Sequence, residues 1–288
     1  MSQSLGKPAA SMYIRPLAKA AFFSAVATSF TGALTAGLGQ GFDLGTQWPG
    51  NAVALVLKAV EGSFEPVHRF FTVAAGVLYL LVFLAAWRVG GRLRLVAALA
   101  LASLAATALT GRVVLLVLGG EVPPPISYAV YPLNNFFALA TALLMALLAS
   151  LLEPRRYKTR LAFFYRGAAF WGAVASVSGA YILGYHKIVK APLAYSLWPP
   201  SWDLAWLIHL AAALLAVSFS LVALASGFSP SLWHILLALS IAVQPLTGLL
   251  MFYGASADPW APGPQTAFHG AFAHLLVVSA FVLYLKSR

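Results

Sequence analysis

Long apolar segments alternate with short polar segments along almost the whole chain. Each apolar segment has about 18 or more residues, which is the length that an α-helix needs to cross the hydrocarbon core of a bilayer. The pattern therefore predicts an all-α integral membrane protein with eight transmembrane helices. These helices are predicted at residues 17–39, 66–87, 95–118, 131–152, 167–185, 203–226, 233–253 and 266–285.

The composition agrees with a membrane protein. Of the 288 residues, 61% are hydrophobic and only 9% are charged, whereas about a quarter of the residues of a soluble domain are charged. The net charge of +11 is informative here through its distribution between alternate loops. Most basic residues fall on the side of the N-terminus and most acidic residues on the other side. This asymmetry predicts cytoplasmic N- and C-termini, with membrane lipid and not nucleic acid as the surrounding partner.

The start of the chain and the cysteine content narrow the class further. Residues 1–16 lack the apolar core and the small-residue cleavage site of a signal peptide, so we expect the first helix to stay in the membrane. The localisation expected is the plasma membrane, with multiple passes. The chain has no cysteine, which excludes iron–sulfur clusters and thiolate-bound metals. Metal chemistry would have to use histidine or carboxylate ligands.

An internal repeat divides the chain at the basic segment 153–166. The sequence SFTGALTAG at 29–37 parallels SVSGAYILG at 176–184, and Leu-Thr-Gly at 109–111 parallels Leu-Thr-Gly at 246–248. Small-residue patterns are common in membrane helices because they allow close packing, so chance similarity is the alternative. We predict two tandem, pseudo-symmetric four-helix bundles, residues 1–152 and 153–288, related by an axis along the membrane normal.

Three histidines are predicted to lie at one depth near the outer side of the membrane. His68, His209 and His269 each fall in the first two turns of an even-numbered predicted helix. Histidines that project inward from facing helices are a common way to hold a cofactor in a helix bundle, and neutral imidazole is a suitable ligand for haem iron. His209 and His269 form the candidate pair, because each is followed four residues later on the same face by alanine, which leaves room for a porphyrin.

The other polar residues near this depth leave alternatives open. In the first half, Asn134 stands where His269 stands in the second half, so the first half keeps only His68. His274 is the alternative to His269 as a ligand, although the five-residue offset turns it about 140° away around the helix. His186 is predicted in a solvated outer loop, and His234 at the cytoplasmic interface.

The mouth of the second predicted helix carries an unusual group of charges. Glu65 and His68 are three residues apart and share one face, and Arg69 lies next to them, where the propionate of a bound haem would emerge. Glu65 could move protons at the edge of such a group. Alternatively, Glu65 stabilises the helix N-terminus and Arg69 extends to the lipid headgroups.

At these residues the chain resembles haem A synthase, a membrane enzyme that oxidises a methyl group of haem O to the formyl group of haem A. Glu65-Pro-Val-His68-Arg69 resembles the family's Glu-x-x-His-Arg motif, and the segment from Gly32 to Pro49 is similar to its first helix and outer loop. The resemblance implies a substrate-haem half at 1–152 and a cofactor-haem half at 153–288.

The resemblance also implies residue roles and partners. Glu65 and His68 would be catalytic at haem O, while His209 and His269 would ligate the iron of a haem b cofactor. The implied partners are an electron donor of unspecified identity and the assembly factors of a haem–copper oxidase. Two departures bear on activity: Asn134 replaces the histidine expected on the fourth helix, and the cysteine pair of many bacterial members is missing. A divergent, archaeal-type enzyme and a relative with changed chemistry both fit.

Two other functions compete with this one. A membrane cytochrome b would transfer electrons between quinol and a partner without modifying the porphyrin. A non-enzymatic haem carrier or assembly subunit would bind haem only in transit. Identification of the bound pigment separates the three hypotheses.

Overall fold

The structure is a computed structural model that describes residues 7–46, 48, 50–153, 159–189, 204–254, 258 and 260–288. The regular structure of these residues is helical. The elements are α1 (Lys7–Gly37), α2 (Ala52–Val60), α3 (Glu65–Val89), α4 (Gly91–Leu118), a 3₁₀ turn (Pro124–Ile126), α5 (Ser127–Leu151), α6 (Leu161–Val189), α7 (Leu204–Gly227), α8 (Leu232–Gly254) and α9 (Pro264–Ser287).

The long helices confirm the predicted membrane class. Among the described residues, eight helices are long and apolar enough to cross a membrane, and they correspond to α1 and α3 to α9. The protein is therefore an all-helical protein of multi-pass type. Each of the eight predicted segments overlaps one of these helices.

The ends of the first and fifth predicted helices differ most from the prediction. The first helix begins at Lys7 and not near residue 17, and it continues through Pro16. A proline inside a helix removes a hydrogen bond and disfavours the helical conformation before it. Here Ile14 and Ala18, on either side of the proline, are buried, so packing against the other helices offsets that cost. The fifth predicted helix likewise begins earlier, at Leu161.

The short helix α2 was not predicted, because its nine residues are too few to cross a membrane. It begins after Asn51, whose side chain accepts a hydrogen bond from the Val53 amide at 2.8 Å, a typical N-cap. Its apolar side chains remain exposed, including Val56 and Val60. The helix lies outside the eight-helix assembly, and its contacts are with the start of α3.

The eight long helices pack as two sets. Helices α1, α3, α4 and α5 contact one another in cyclic order, and helices α6, α7, α8 and α9 do the same. The two sets meet through α1, α5, α6 and α9, with α1 against α9 and α5 against α6 and α9. These four helices form the centre of the protein, and the other four long helices surround them.

Glycine allows the closest approaches between the two sets. A Cβ atom at Gly37 would clash with the backbone of Ala267 at the start of α9, and one at Gly184 would clash with the carbonyl of Ser127 at the start of α5. The Gly263 amide also donates to the Gly37 carbonyl at 2.8 Å. Gly37 and Gly184 end the two matching repeat segments, so equivalent glycines serve the same contact in each half.

Polar contacts join the helix ends at one end of the protein. Glu153, just after α5, pairs with Arg15 and Lys19 of α1, at 3.0 Å in each case. The Thr159 amide donates to the Ser287 carbonyl at the end of α9, at 2.8 Å. The start of α1 and the ends of α5 and α9 therefore lie together, and the starts of α3, α7 and α9 lie at the opposite end.

Candidate haem-binding site

His68 lies on the first turns of α3 and packs against a glycine of α1. A Cβ atom at Gly32 would lie only 2.9 Å from His68 Cε1, so glycine is needed for the imidazole to approach the helix. His68 Nδ1 lies 3.0 Å from the Thr28 carbonyl oxygen. Because a carbonyl can only accept, Nδ1 carries the proton and the lone pair of the neutral ring is on Nε2.

His209 repeats this arrangement between α7 and α6. A Cβ atom at Gly179 would lie 3.0 Å from His209 Cε1, and His209 Nδ1 donates to the Ala175 carbonyl at 2.8 Å. Both carbonyls, at Thr28 and Ala175, precede the contacting glycine by four residues, one helical turn. The two imidazoles are therefore oriented by the same pair of contacts, one with a glycine and one with the carbonyl four residues before it.

His269 makes a similar Nδ1 hydrogen bond between α9 and α8, but to a hydroxyl group instead of a carbonyl. Its Nδ1 lies 3.1 Å from Thr247 Oγ1, and that hydroxyl donates its own proton to the Val243 carbonyl at 2.7 Å. The threonine oxygen must therefore accept from Nδ1, which again leaves the lone pair on Nε2. Gln244 supports the backbone by donating from Nε2 to the His269 carbonyl at 2.6 Å.

Asn134 occupies the fourth position of the pattern, between α5 and α4. Its Nδ2 donates to the Thr107 carbonyl at 2.9 Å and to Thr110 Oγ1 at 3.0 Å. A Cβ atom at Gly111 would lie 3.4 Å from that nitrogen. The Asn134 amide therefore makes the contacts to α4 that the imidazoles make to their own preceding helices.

A dipeptide of one hydroxyl residue and glycine marks all four positions on the odd-numbered predicted helices. The four dipeptides are Thr31-Gly32, Thr110-Gly111, Ser178-Gly179 and Thr247-Gly248. These dipeptides belong to the repeated segments, so their signal was present in the sequence. The sequence did not reveal that these glycines contact the histidines, because periodicity does not show which side chain of the next helix fills the space above a glycine.

The imidazoles of His209 and His269 lie next to each other within the second set of helices. Their ring centres are 6.2 Å apart and the ring planes differ by 56°. A metal–imidazole bond of about 2.0 Å on each side, with about 1.1 Å from each nitrogen to its ring centre, separates two opposite ligand rings by about 6.2 Å. The ring-centre spacing therefore equals the one expected for two imidazoles on opposite sides of a single metal ion.

The surroundings of this pair are partly open. Both imidazoles are only partly buried, and Trp206 packs edge-on against His209 with the ring centres 6.0 Å apart. A groove of about 300 Å³ opens beside His209, between α6 and α7, and is lined by Ser178, Tyr181, Leu204, Ala205 and Ile208. The rings are thus held by their Nδ1 hydrogen bonds, and the groove lies on the His209 side of the pair.

His274 has a different environment from His269. It is buried where the two sets of helices meet, and its Nε2 lies 2.8 Å from Asn135 Nδ2. Asn135 in turn accepts a hydrogen bond from Ser176 Oγ at 3.1 Å. The structure therefore brings His269, and not His274, next to His209, and it makes His274 part of a polar contact between α9, α5 and α6.

Glu65 and Arg69 form a buried ion pair at the start of α3. The side chains are only 4% and 3% exposed. Arg69 donates from Nε to Glu65 Oε1 at 3.1 Å and from Nη2 to the Gly45 carbonyl at 2.9 Å. The other carboxylate oxygen, Oε2, accepts from the Leu44 amide at 2.9 Å. The pair therefore attaches the loop after α1 to the helix that carries His68.

These contacts differ from the structural interpretation of the pair, in which Glu65 stabilises the helix N-terminus and Arg69 extends to the lipid headgroups, whereas the catalytic role of Glu65 stays a prediction. The partners of the Glu65 carboxylate are Arg69 and the Leu44 amide, and not the amides in the first turn of its own helix. Arg69 is buried instead of extending to lipid headgroups. Sequence spacing could show that the two residues are one turn apart, but not that a distant loop would cover them.

The two remaining histidines lie apart from the candidate pair. His186 was predicted in a solvated loop, but it is fully buried near the end of α6, because that helix continues beyond the predicted boundary. His234 is also buried, and its Nε2 lies 2.9 Å from Tyr165 Oη while its Nδ1 lies 2.7 Å from Ser231 Oγ. It joins α8 to α6 near the start of α8.

Comparisons with known proteins add no assignment. No protein-family model matches the chain, and a search of curated proteins gives no significant match.

Proposed function

We propose that the protein is a haem-binding membrane oxidoreductase of the haem A synthase type. The observation that carries the proposal is the pair of imidazoles with ring centres 6.2 Å apart, each with Nδ1 engaged in a hydrogen bond and with no hydrogen bond to Nε2 among the described residues. In this proposal His209 and His269 hold a haem b cofactor in residues 153–288. The bound haem would supply one-electron transfer, and α6 and α8 would hold the two imidazoles through their Nδ1 hydrogen bonds.

The first half, residues 1–152, is proposed to bind the substrate, haem O, through His68. The Glu65–Arg69 pair lies one turn from His68 on the same helix. Arg69 orients the carboxylate, and Glu65 retains lone pairs that could accept a proton from the substrate edge. The buried pair also holds the Leu44–Gly45 backbone over this end of the half, which would limit the access of water.

We further propose that the two sets of helices are tandem repeats related by an axis along the membrane normal, with both termini cytoplasmic. The matching cyclic contacts, the equivalent glycines Gly37 and Gly184, and the four hydroxyl–glycine dipeptides support this arrangement. The proposed location is the plasma membrane. An electron donor and assembly factors of a haem–copper oxidase are the proposed partners.

The first experiment identifies the bound pigment and its ligands. We expect purified protein to contain haem b with a low-spin, bis-histidine spectrum, and His209→Ala or His269→Ala to abolish it while the protein still inserts. His234→Ala is the matched control, since that histidine lies outside the pair. An unchanged spectrum in both ligand variants would refute the cofactor site.

A second experiment tests the chemistry. Co-expression with a source of haem O, in a host without its own haem A synthase, should yield haem A. Glu65→Gln should retain the low-spin haem and lose haem A production, whereas Glu65→Asp should retain part of it. Normal production of haem A by the Glu65→Gln variant would show that Glu65 has a purely structural role.

A membrane cytochrome b is the second candidate, and two observations favour it. Asn134 replaces the imidazole expected opposite His68, and both oxygens of the Glu65 carboxylate are already engaged. A protein that contains haem b alone, reacts with quinol, and leaves haem O unchanged would support this function over the first.

A further inference from the structure

The first half provides one imidazole at the level where the second half provides two. The chain has six histidines, and His68 is the only one before residue 153. The position equivalent to His269 carries Asn134, whose side chain is anchored to α4 as His269 is anchored to α8. The two halves therefore have the same framework with a different set of ligand atoms.

The Asn134 side chain is a poor ligand for haem iron. Its nitrogen is an amide donor without an available lone pair, and it is held by the Thr107 carbonyl and Thr110 Oγ1. Its Oδ1 is a neutral carbonyl oxygen, a donor that suits harder cations such as Mg²⁺ or Ca²⁺ more than haem iron. The anchoring bonds also hold the side chain against α4, so it occupies little of the space that an imidazole would fill.

Among the described residues of the first half, neither a thiolate nor the Met145 thioether replaces the missing imidazole. The chain has no cysteine. Met145 follows Asn134 by 11 residues on α5, which places it about 16 Å farther along the helix axis. In the second half, His274 reaches toward α5, but its Nε2 is bound to Asn135.

We propose, building on the function above, that Asn134 leaves an open coordination position on the iron of a haem bound by His68. The first-half haem is then five-coordinate and high-spin, and it takes a small external ligand such as carbon monoxide. The second-half haem is six-coordinate and closed to such ligands. The two halves are thereby specialised, one for reaction at an open iron and one for electron transfer.

The test uses the full-length protein loaded with ferric haem b in both halves. We expect electron paramagnetic resonance to show one high-spin and one low-spin signal of equal intensity, and carbon monoxide to bind half of the reduced haem. Asn134→His should convert the high-spin signal to a second low-spin signal and abolish carbon monoxide binding. Asn134→Ala removes the amide without adding a ligand, so it should keep the high-spin signal.

Two further variants separate this inference from the proposed function. His68→Ala should remove the high-spin signal and leave the low-spin one. The reciprocal change, His269→Asn, should create a second high-spin haem that binds carbon monoxide. Two low-spin haems in the unmodified protein, an empty first half, or a high-spin signal that survives in Asn134→His would overturn the inference while leaving the cofactor site intact. Absence of the low-spin signal in the unmodified protein would instead refute the proposed function, and the inference with it.

Discussion

Replacing Gly179 by alanine should displace the His209 imidazole. The new Cβ atom would lie 3.0 Å from His209 Cε1 and 3.2 Å from Nδ1, whereas favourable carbon–carbon contacts are about 3.5–4.0 Å. The ring must therefore move by roughly 0.5–1 Å, which lengthens its 2.8 Å hydrogen bond to Ala175 or twists the side chain from its rotamer. A functional site loses its geometry when its ligands shift by more than about 0.5 Å.

The expected cost follows from these two effects. Loss of a hydrogen bond costs about 0.5–1.5 kcal/mol, and an off-rotamer side chain costs a similar amount. Together they give about 1–3 kcal/mol, or roughly 5- to 150-fold in the affinity of the second half for haem. The assay is a titration of haem-free protein with ferric haem b, followed through the low-spin signal.

The chain offers matched controls for this prediction. A Cβ atom at Gly248 would lie 3.5 Å from His269 Cε1, which is an ordinary contact, so Gly248→Ala should bind haem nearly as well as the unmodified protein. Gly32→Ala should affect only the first-half signal, because Gly32 packs against His68. If Gly179→Ala binds as tightly as Gly248→Ala, glycine is not what positions the imidazole.

Three other predictions concern the polar contacts. His274→Ala should leave the low-spin spectrum unchanged and lower the thermal stability, because it removes a contact between the two halves and not an iron ligand. Arg69→Met should destabilise the protein by about 3–5 kcal/mol in denaturant or thermal unfolding, because it leaves the buried Glu65 carboxylate without its partner. Burial raises the pKa of Glu153, but hydrogen bonds from Lys19 and Arg15 outweigh burial and hold that pKa below its ordinary value of 4.5. The small stabilisation from these ion pairs should therefore be present above pH 4.5 and be lost as the pH falls below it.

Each of these predictions has a decisive control. A lost low-spin spectrum in His274→Ala would make that residue, and not His269, the ligand. For the buried pair, the double variant Glu65→Gln with Arg69→Met should be more stable than Arg69→Met alone, and equal stability would contradict the ion-pair argument. For Glu153, the difference in melting temperature from Glu153→Gln should shrink on acidification, and a constant difference would show that its charge is not involved.

Much of the fold could be predicted from hydropathy, because eight long apolar segments have few alternatives in a bilayer. The errors came from tertiary packing. The first helix was predicted to begin at residue 17, but it begins at Lys7, and buried neighbours keep it continuous through Pro16. Helix α2 is too short, and the residues around it are too polar, for it to be predicted as a transmembrane helix. The full burial of His186 depends on where α6 ends, which local sequence does not determine.

The candidate site could be predicted only in part. The spacing of His209 and His269 within their helices indicated a shared depth, and the offset of His274 indicated that it faces elsewhere. The anchors could not be predicted, because the Ala175 carbonyl and the Thr247 hydroxyl act through space from another helix. The Glu65–Arg69 pair was visible as a spacing, but its burial depends on the Leu44 loop, which has no distinctive pattern.

The Nδ1 hydrogen bonds link the midpoint potential of the proposed haem to the packing of the helices that make those bonds. In the second half, the Nδ1 atom of each imidazole contacts the helix that precedes its own, so the position of each ring depends on one pair of adjacent helices. The separation of the two rings then depends on how the α6–α7 hairpin sits against the α8–α9 hairpin. In the proposed haem site, a change in bilayer thickness or lateral pressure that slides one helix pair past the other would alter the iron–nitrogen distances and so shift the midpoint potential. Reconstitution into lipids of graded chain length would make that mechanical coupling measurable by redox titration.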